Sequence, residues 1–569
     1  MHSLTRRSDV SARVTALFTM LLLLFAPFSM GCEDDSNPLQ LGGPDFDSGF
    51  ELPDASQTPP LPPSPSDSAP TPGTLTASNP TSSSVDLSWT AATDDVTPAA
   101  ELEYRVYYSL EDNLDTVENV LANGTAASDW QKGATTLTVK SLALDMPYHF
   151  NVLVRDGAQN VAVYGGASAS TLGGAWQPQE TIEVAAGESA YYSRLAVNSK
   201  GDVVAYWTMT PNWDLAFAVR PHDADTFGAT VHWGGVPRGQ WPLHIGFHDQ
   251  LYIPTLLSPE DDSHDLVLAS GGMGAPPTVD PVVTGLPDYV YQARVCTSAD
   301  GTAMVAWIER PGGGAQPVRA RIRTASGWGT TTLVSETEER TYYDLEVVCS
   351  PDGNHLVVFE DTTADPRTLQ ARLYDAALGE WMPVTTLSGR YADGGYSVAR
   401  TDSGKRFVAW HEFDADGSYF MVRSLEGTTW SDPVVLTSDA GSTLRIVTAG
   451  EDVHAFWRSS GAIVTRRLLA GTSAWTDEEV FDDAMDVYDV SASGSAFGDV
   501  VLAWSRGLTV SARLWSPSTK AWGATELLGE ATTLIGYGSL HSLIDPRRRA
   551  TVVWTEYDSH FSVRSRTYR

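Results

Sequence analysis

The chain has 569 residues, which is too long for one hydrophobic core, so the length predicts two or three domains. Its formal charge of −34 argues against a nucleic-acid-binding protein, because phosphates require clustered Lys and Arg. There are three cysteines and no C-x-x-C pair, so zinc-ribbon and thioredoxin-like folds have no support.

The N-terminus has the pattern of an export signal. Arginines precede a leucine-rich apolar run at residues 21–25, which predicts a secretory signal over residues 1–31. The following Gly31-Cys32 resembles the lipobox of bacterial lipoproteins, and the resemblance implies that Cys32 carries the lipid. Ser29 stands where that family usually has Leu, and ordinary signal-peptidase cleavage that leaves a free Cys32 is the alternative.

Residues 32–69 are predicted to be a disordered acidic tether. They are rich in Pro, Ser and Asp, contain no Lys or Arg, and have too few large apolar residues to form a core. No later apolar run reaches the about 18 residues that a membrane helix needs. The expected contact with a membrane is therefore through the lipid anchor only.

Residues 70–172 are predicted to form a β-sandwich. The segment V-D-L-S-W at 85–89 alternates apolar and polar residues, as a half-buried strand does. Leu142 and Tyr148 have the spacing of a tyrosine corner. Together these features resemble a fibronectin type III domain, and the resemblance implies a spacer or an interaction module.

Residues 173–569 are periodic. The unit is two apolar runs joined at Asp-Gly, as at Asp300-Gly301, which is typical of a β-hairpin. Its copies end in an aromatic residue that recurs about every 50 residues, the size of a four-stranded propeller blade. These aromatic residues are Trp207, Trp307, Phe359, Trp410, Trp457, Trp504 and Trp554.

The repeat count predicts an all-β fold in which the sandwich is followed by a β-propeller of eight blades. Seven remain possible if residues 243–278 are an insertion. The last unit ends in its third strand, so residues 176–184 are predicted to supply the fourth strand and close the ring. The architecture resembles sialidase-like bacterial propellers, but the F-R-I-P segment of sialidases is absent, so sialidase activity is not expected.

The sequence contains no recognised catalytic motif. The histidines show no metal-ligand spacing, so no catalytic residue, metal or cofactor is predicted. Cys296 and Cys349 occupy nearly the same position of neighbouring repeats, and the expectation is either a disulfide between them or two buried thiols.

Tyrosines recur at the start of the first strand of the repeat, with acidic residues just before several of them. First strands line the channel of a propeller, so these tyrosines are predicted to ring its mouth and bind a carbohydrate or a cationic group. Packing of each ring between blades is the alternative. The set is Tyr192, Tyr291, Tyr343, Tyr396, Tyr488 and Tyr537.

These observations predict a lipoprotein of the bacterial cell envelope, at the outer membrane or cell surface, that binds a glycan or protein ligand without catalysis. Two alternatives remain open. One is a glycoside hydrolase or lyase that uses carboxylates on the propeller face. The other is a structural component of an envelope assembly.

The lipid anchor is testable with Cys32→Ala. Because the substitution removes the only sulfur at the predicted attachment site, we expect the protein to move from the membrane fraction to the soluble fraction. Fractionation and immunoblotting measure this directly. A variant that stays in the membrane fraction would show that another anchor holds the protein.

Overall fold

The computed structural model describes residues 67–569, except 183–187, 211–213, 238–242, 246–249, 258–263, 273–276, 287–288, 299, 311–313, 483–486, 537 and 558–559. The predicted signal, Cys32 and nearly all of the tether lie outside the described residues. Strands dominate the rest. No helix in this part of the chain is long and apolar enough to cross a membrane.

The first domain is a β-sandwich. A three-stranded sheet contains Leu75–Ser78, Val85–Trp89 and Thr136–Val139. The facing sheet contains Glu103–Ser109, Pro147–Arg155, Thr125–Ala126, Gln131–Lys132, Val161–Val163 and Ala167–Ser170, and a short helix spans Val117–Asn123.

The alternating residues of the sandwich form its core, as the sequence pattern predicts. Val85, Leu87 and Trp89 are buried against Tyr104 and other residues of the facing sheet. The hydroxyl of Tyr148 accepts a hydrogen bond from the backbone N–H of Ala143 at 2.8 Å. This is the contact that defines a tyrosine corner.

The described strands after the sandwich form eight successive sheets, which we number in chain order. Sheet 1 contains Ser189–Val197, Val203–Thr210, Asp214–Arg220 and Val231–Pro237. Sheet 2 contains His244–Ile245, Leu251–Leu257, His264–Gly271 and Thr278–Leu286. Sheet 3 contains Tyr289–Thr297, Ala303–Arg310, Val318–Thr324, Gly327–Trp328 and Thr332–Leu333. Sheet 4 contains Tyr342–Cys349, His355–Asp361, Thr368–Asp375, Glu380–Trp381 and Thr385–Thr386.

Sheet 5 contains Tyr391–Arg400, Arg406–Phe413, Ser418–Glu426, Thr429–Trp430 and Val434–Thr437. Sheet 6 contains Ser442–Ala449, Asp452–Ser459, Ala462–Leu468 and Glu479–Asp482. Sheet 7 contains Val487–Gly494, Val500–Arg506, Thr509–Ser516, Ala521–Trp522 and Glu526–Glu530. Sheet 8 contains Leu534–Ile535, His541–Ile544, Ala550–Tyr557, Phe561–Tyr568 and, from far upstream, Glu180–Ile182.

The hydrophobic cores lie between neighbouring sheets. The repeated aromatic at the end of each second strand is at most 2% exposed, for example Trp307 and Trp410. Trp307 of sheet 3 packs in one cluster with Leu266 and Leu268 of sheet 2. Each sheet therefore buries its apolar faces on its two neighbours, as the blades of a propeller do.

A repeated arginine in the third strand joins adjacent sheets. Arg372 donates from Nε to the carbonyl of Met382 just beyond the fourth strand of its own sheet at 2.7 Å, and from Nη1 to the carbonyl of Leu333 in the preceding sheet at 2.8 Å. Arg466 makes the equivalent pair of bonds. Because these carbonyls would otherwise lack partners at the outer strands, the arginines stabilise the joints between sheets.

The ring closes through the predicted N-terminal strand. Glu180–Ile182 pairs antiparallel with Phe561–Tyr568, with Ile182 opposite Val563. Ile182 is 2% exposed and packs in one cluster with Val553 of sheet 8 and Trp207 of sheet 1. The strand therefore completes sheet 8 and the core between the two ends of the ring.

Closure predicts that Ile182→Ala destabilises the propeller. The loss of buried side-chain volume at this joint should cost about 2–5 kcal/mol of the free energy of unfolding. Chemical denaturation followed by Trp fluorescence measures the change. Thr181→Ser, on the exposed side of the same strand, keeps the hydroxyl that accepts a hydrogen bond from Arg564, so it is the control and should change the free energy of unfolding by less than about 0.5 kcal/mol. Equal effects of the two substitutions would contradict this role of the strand.

Candidate functional site

Most first strands begin with a β-bulge. The register of the first and second strands shifts between Tyr191 and Arg194 in sheet 1 and between Val290 and Gln292 in sheet 3. Corresponding shifts occur in sheets 4, 5, 6 and 7. A bulge leaves a residue unpaired and redirects its side chain. Most of the repeated tyrosines lie at or beside these bulges.

The bulges leave several of the predicted rim tyrosines exposed. Tyr192, Tyr291 and Tyr488 are 51%, 40% and 54% exposed. Tyr343 is half-buried, and its ring meets that of Tyr291 edge-on with centroids 5.3 Å apart. Open aromatic faces at repeated positions are what stacking on a ligand requires.

Tyr396 differs from the other rim tyrosines. It is half-buried, and its hydroxyl donates to the backbone carbonyl of Val358 in the preceding sheet at 3.3 Å. Packing between blades, the alternative for the whole set, therefore describes this residue. Tyr537 lies outside the described residues.

A second set of polar residues lies one step further along the first strands. Each pairs with the residue just before the buried aromatic of the second strand, as Arg294 pairs with Ala306 before Trp307. Residues at one register lie at one depth of the channel. We call this set the inner ring: Arg194, Arg294, Glu346, Ser397, Arg445, Ser491 and His541.

The inner ring was missed by sequence reasoning, although a signal exists. Its members precede the repeated aromatic by a nearly constant interval, as Arg294 precedes Trp307 and Glu346 precedes Phe359. The tyrosines attracted attention because they share one residue type. The inner ring mixes Arg, Glu, Ser and His, so only the structural register identifies it.

Part of the inner ring has a structural task. The Oγ of Ser491 accepts the backbone N–H of Ser542 at 2.8 Å, and the Nδ1 of His541 accepts that of Leu195 at 3.3 Å. In the same way, the Oγ of Ser397 accepts the backbone N–H of Ile446 at 3.1 Å. These side chains satisfy N–H groups on the open edges of first strands.

In the described part of the chain, the charged members of the inner ring do not accept hydrogen bonds from backbone N–H groups of neighbouring first strands. Arg294 donates from Nε to Glu346 on the next first strand at 3.3 Å. Arg194 is exposed and has no hydrogen-bond partner among the described residues. Its guanidinium is therefore free to bind an external acceptor such as a carboxylate or sulfate.

The inner ring is electrostatically coupled across the channel. Burial, and after it the charges of Arg194 and Arg445, lower the pKa of His541 to about 3. Burial raises the pKa of Asp344, and Glu346 adds to the rise while Arg294 opposes it. Asp489 on the neighbouring first strand also lies in this region, with its carboxylate accepting the backbone N–H of Leu540 at 3.3 Å, while Asp344 and Glu346 lie together with Arg294.

The two cysteines expected to pair or to remain as thiols are joined. Cys296 and Cys349 form a disulfide with Cα atoms 5.6 Å apart, between the first strands of sheets 3 and 4.

Three carboxylates of the sandwich also lie close together, those of Asp67, Asp94 and Asp156, and their oxygen atoms could act as metal ligands. Mutual repulsion of these carboxylates, after burial, raises the pKa of Asp67.

The sandwich contacts the opposite end of the propeller. In the turn after His541–Ile544, Arg547 donates from Nε to the carbonyl of Ser141 and Arg548 from Nη1 to that of Leu144, both at 2.7 Å. This turn lies at the far end of the first strand from the bulges. The sandwich therefore leaves the tyrosine side of the propeller uncovered.

The comparisons with known proteins identify the sandwich. The sequence model of the fibronectin type III domain matches residues 68–171. No curated protein matches the chain.

Similar solved structures include polysaccharide lyase Uly1, at 10% identity and a TM-score of 0.40, covering 66% of this chain and 89% of that one. The NanB sialidase of Streptococcus pneumoniae matches at 11% identity and a TM-score of 0.30, covering 82% and 92%. The Dos1 propeller matches at 10% identity and a TM-score of 0.41, covering 69% and 94%.

His541→Gln tests the electrostatics of the channel. The unfolded chain takes up a proton on this imidazole below about pH 6.5, whereas the folded protein does not until about pH 3. Stability from this group is therefore full above pH 6.5 and falls by about 1.4 kcal/mol per pH unit below it. Between pH 6.5 and 5, the wild type should lose about 2 kcal/mol more than His541→Gln, measured by urea denaturation. Identical losses would contradict a buried neutral His541.

Proposed function

We propose that the protein binds a glycan bearing carboxylate or sulfate groups at the tyrosine end of the propeller channel. The observation that carries the proposal is the combination of exposed tyrosine faces with the unpartnered Arg194 deeper in the same channel. Sugar rings stack on tyrosine faces, and a guanidinium binds carboxylate or sulfate oxygens with two parallel hydrogen bonds. The two contacts together suit an acidic carbohydrate.

The inner ring changes the expected charge of the ligand. In the sequence, the acidic residues before the tyrosines predicted a carbohydrate or a cationic group as the ligand. These acids are Glu188, Asp288, Glu339, Asp393 and Asp486. Glu188 is half-buried and Glu339 is exposed, while Asp288, Asp486 and the side chain of Asp393 lie outside what the structure describes. Arg194, exposed and without a hydrogen-bond partner among the described residues, lies close enough to the neutral His541 to lower its pKa. An anionic ligand therefore fits Arg194 better than a cationic peptide.

A catalytic role is the second candidate, and two carboxylates of the channel favour it. Asp344 lies beside Glu346, Arg294 and Tyr396, and burial raises its pKa. A carboxyl group with a raised pKa beside a second carboxylate is the arrangement that glycoside cleavage uses. Tyr396 is a poor base here, because burial and the two carboxylates raise its pKa well above the usual range.

The proposed location is the bacterial cell envelope, with the lipid on Cys32 as anchor. The support is the sequence around Gly31-Cys32 and the acidic Pro-rich segment that follows. With the anchor at one end of the tether, the binding end of the propeller would reach glycans beyond the membrane.

Binding is tested with the full chain carrying Cys32→Ser, on an array of neutral and acidic glycans. Tyr291→Ala should weaken binding about 2–10-fold through lost stacking. Leu378→Ala is the control, because Leu378 is 64% exposed but lies in the turn after the third strand of sheet 4, at the end of the sheet away from the tyrosines. Equal affinities of the two variants would contradict the tyrosine rim as a binding site.

Arg194→Ala should weaken binding of acidic glycans about 10–100-fold and leave neutral glycans unchanged, because a charge-assisted hydrogen bond is lost. Lys520→Ala, exposed in the turn between the third and fourth strands of sheet 7 at the end away from the tyrosines, is the control. Uniform loss for neutral and acidic glycans would argue against recognition of the acidic group.

Catalysis is tested by incubating the bound glycan with the protein. New reducing ends would indicate hydrolysis, and new ends absorbing in the ultraviolet would indicate elimination. Asp344→Asn should abolish either product while preserving binding, since the amide cannot release a proton. An intact glycan after prolonged incubation leaves binding as the function.

A further inference from the structure

A cluster of two sulfurs and one imidazole lies between sheets 3 and 4, away from the channel mouth. Cys296 and Cys349 are near the ends of their first strands, and His355 begins the second strand of sheet 4, directly opposite Cys349 in the strand register. The two Sγ atoms and a ring nitrogen of His355 all lie within 4.8 Å of one another. All three residues are buried.

The imidazole of His355 is buried beside the two sulfurs. It is 0% exposed, and neither of its ring nitrogens has a hydrogen-bond partner among the described residues. A buried polar group without a partner is costly and calls for a specific reason. The ring is held in place by Tyr374, whose ring stacks on it with centroids 5.7 Å apart and planes 13° apart.

The imidazole is also placed to be a ligand. One of its ring nitrogens lies within 4.8 Å of both sulfurs, and neither ring nitrogen is occupied by a hydrogen bond in the described part of the chain. A ring nitrogen whose lone pair is not engaged by a donor can bind a metal ion.

We propose that reduction of the Cys296–Cys349 disulfide creates a site in which the two thiolates and His355 bind one Cu(I) ion. A dithiol supplies two electrons and two protons, forms its own cyclic disulfide, and leaves two thiols on the protein. Cu(I) then displaces both thiol protons, which are released to water, and takes the imidazole nitrogen as third ligand. The Cα separation of 5.6 Å lets both sulfurs reach one ion.

The ligand set and charge favour Cu(I) over Zn(II). Thiolates are soft ligands that select Cu(I), which is stable with three ligands, whereas structural Zn(II) sites hold four. Two thiolates and Cu(I) leave one net negative charge. Arg406, 2% exposed with its Nη2 bonded to Ser350 next to Cys349, is placed to balance that charge, and its Nε has no partner among the described residues.

The propeller contains its own matched control. His454 is likewise 0% exposed, and both of its ring nitrogens lack partners in the described part of the chain. Its neighbours are the rings of Phe456, Trp515 and Trp522 instead of sulfur. Substituting His454 removes a buried imidazole of the same kind without touching the cysteine pair.

The test uses the full chain with Cys32→Ser, so that Cys296 and Cys349 are the only cysteines. The protein is reduced with a dithiol, freed of it by anaerobic gel filtration, and titrated with Cu(I) against a chromophoric Cu(I) chelator. We expect one Cu(I) per reduced chain and none per oxidised chain. His355→Gln should weaken Cu(I) binding by about tenfold or more, and His454→Gln should leave it unchanged.

The outcomes separate the possibilities. Cu(I) binding that is equal in His355→Gln and wild type would show that the imidazole is not a ligand and would overturn the proposal. Binding to the oxidised chain, or preference for Zn(II) over Cu(I) in the same titration, would overturn it as well. X-ray absorption of the copper-loaded protein should show two sulfur neighbours and one nitrogen neighbour, and a sulfur-only shell would contradict the site.

Discussion

The propeller depends on the joint between its first and last strands. Each sheet buries its apolar faces only on its neighbours, so an open ring would expose two such faces and two strand edges. Glu180–Ile182 prevents this by pairing with Phe561–Tyr568 and by placing Ile182 in the core shared with Trp207. Arg566 reproduces the repeated arginine contact at this joint, since its Nε donates to Gln177 at 2.6 Å and its Nη1 to Leu527 of sheet 7 at 2.6 Å.

Closure also determines what can lie in the channel. The inner edges of the first strands carry N–H groups without partners in their own sheets, and several inner-ring side chains accept from them. A repeat that needed only this would carry Ser at every such position. The charged members do not serve this requirement, and the exposed Arg194, which has no hydrogen-bond partner among the described residues, is the basis for proposing a ligand.

The two domains form one compact unit from residue 67 onward. The contact is made by backbone carbonyls of the sandwich, including that of Leu144 near the tyrosine corner, and by arginines of sheet 8. Arg548 is also paired with Asp499 of sheet 7 at 2.8 Å, which holds the guanidinium in position. A sandwich fixed in this way at one end acts as a support for the propeller and leaves the tyrosine end accessible.

The sequence by itself determined the class of fold, the sandwich with its tyrosine corner and the closing strand. These features follow from patterns within single strands, such as the alternation at 85–89, and from the period of the repeated aromatics. It also located the tyrosines at one position of the repeat. It did not show that bulges would expose Tyr192, Tyr291 and Tyr488 while Tyr396 packs against the preceding sheet.

The tertiary structure decided which side chains meet. Arg294 and Glu346 belong to different repeats, and the bond between His541 and Leu195 joins opposite ends of the propeller chain. The disulfide required the first strands of sheets 3 and 4 to be adjacent, and only the fold brought His355 to its sulfurs. The physical reason is that such contacts depend on the register and packing of neighbouring sheets, whereas the pattern within one strand encodes only which of its faces is buried.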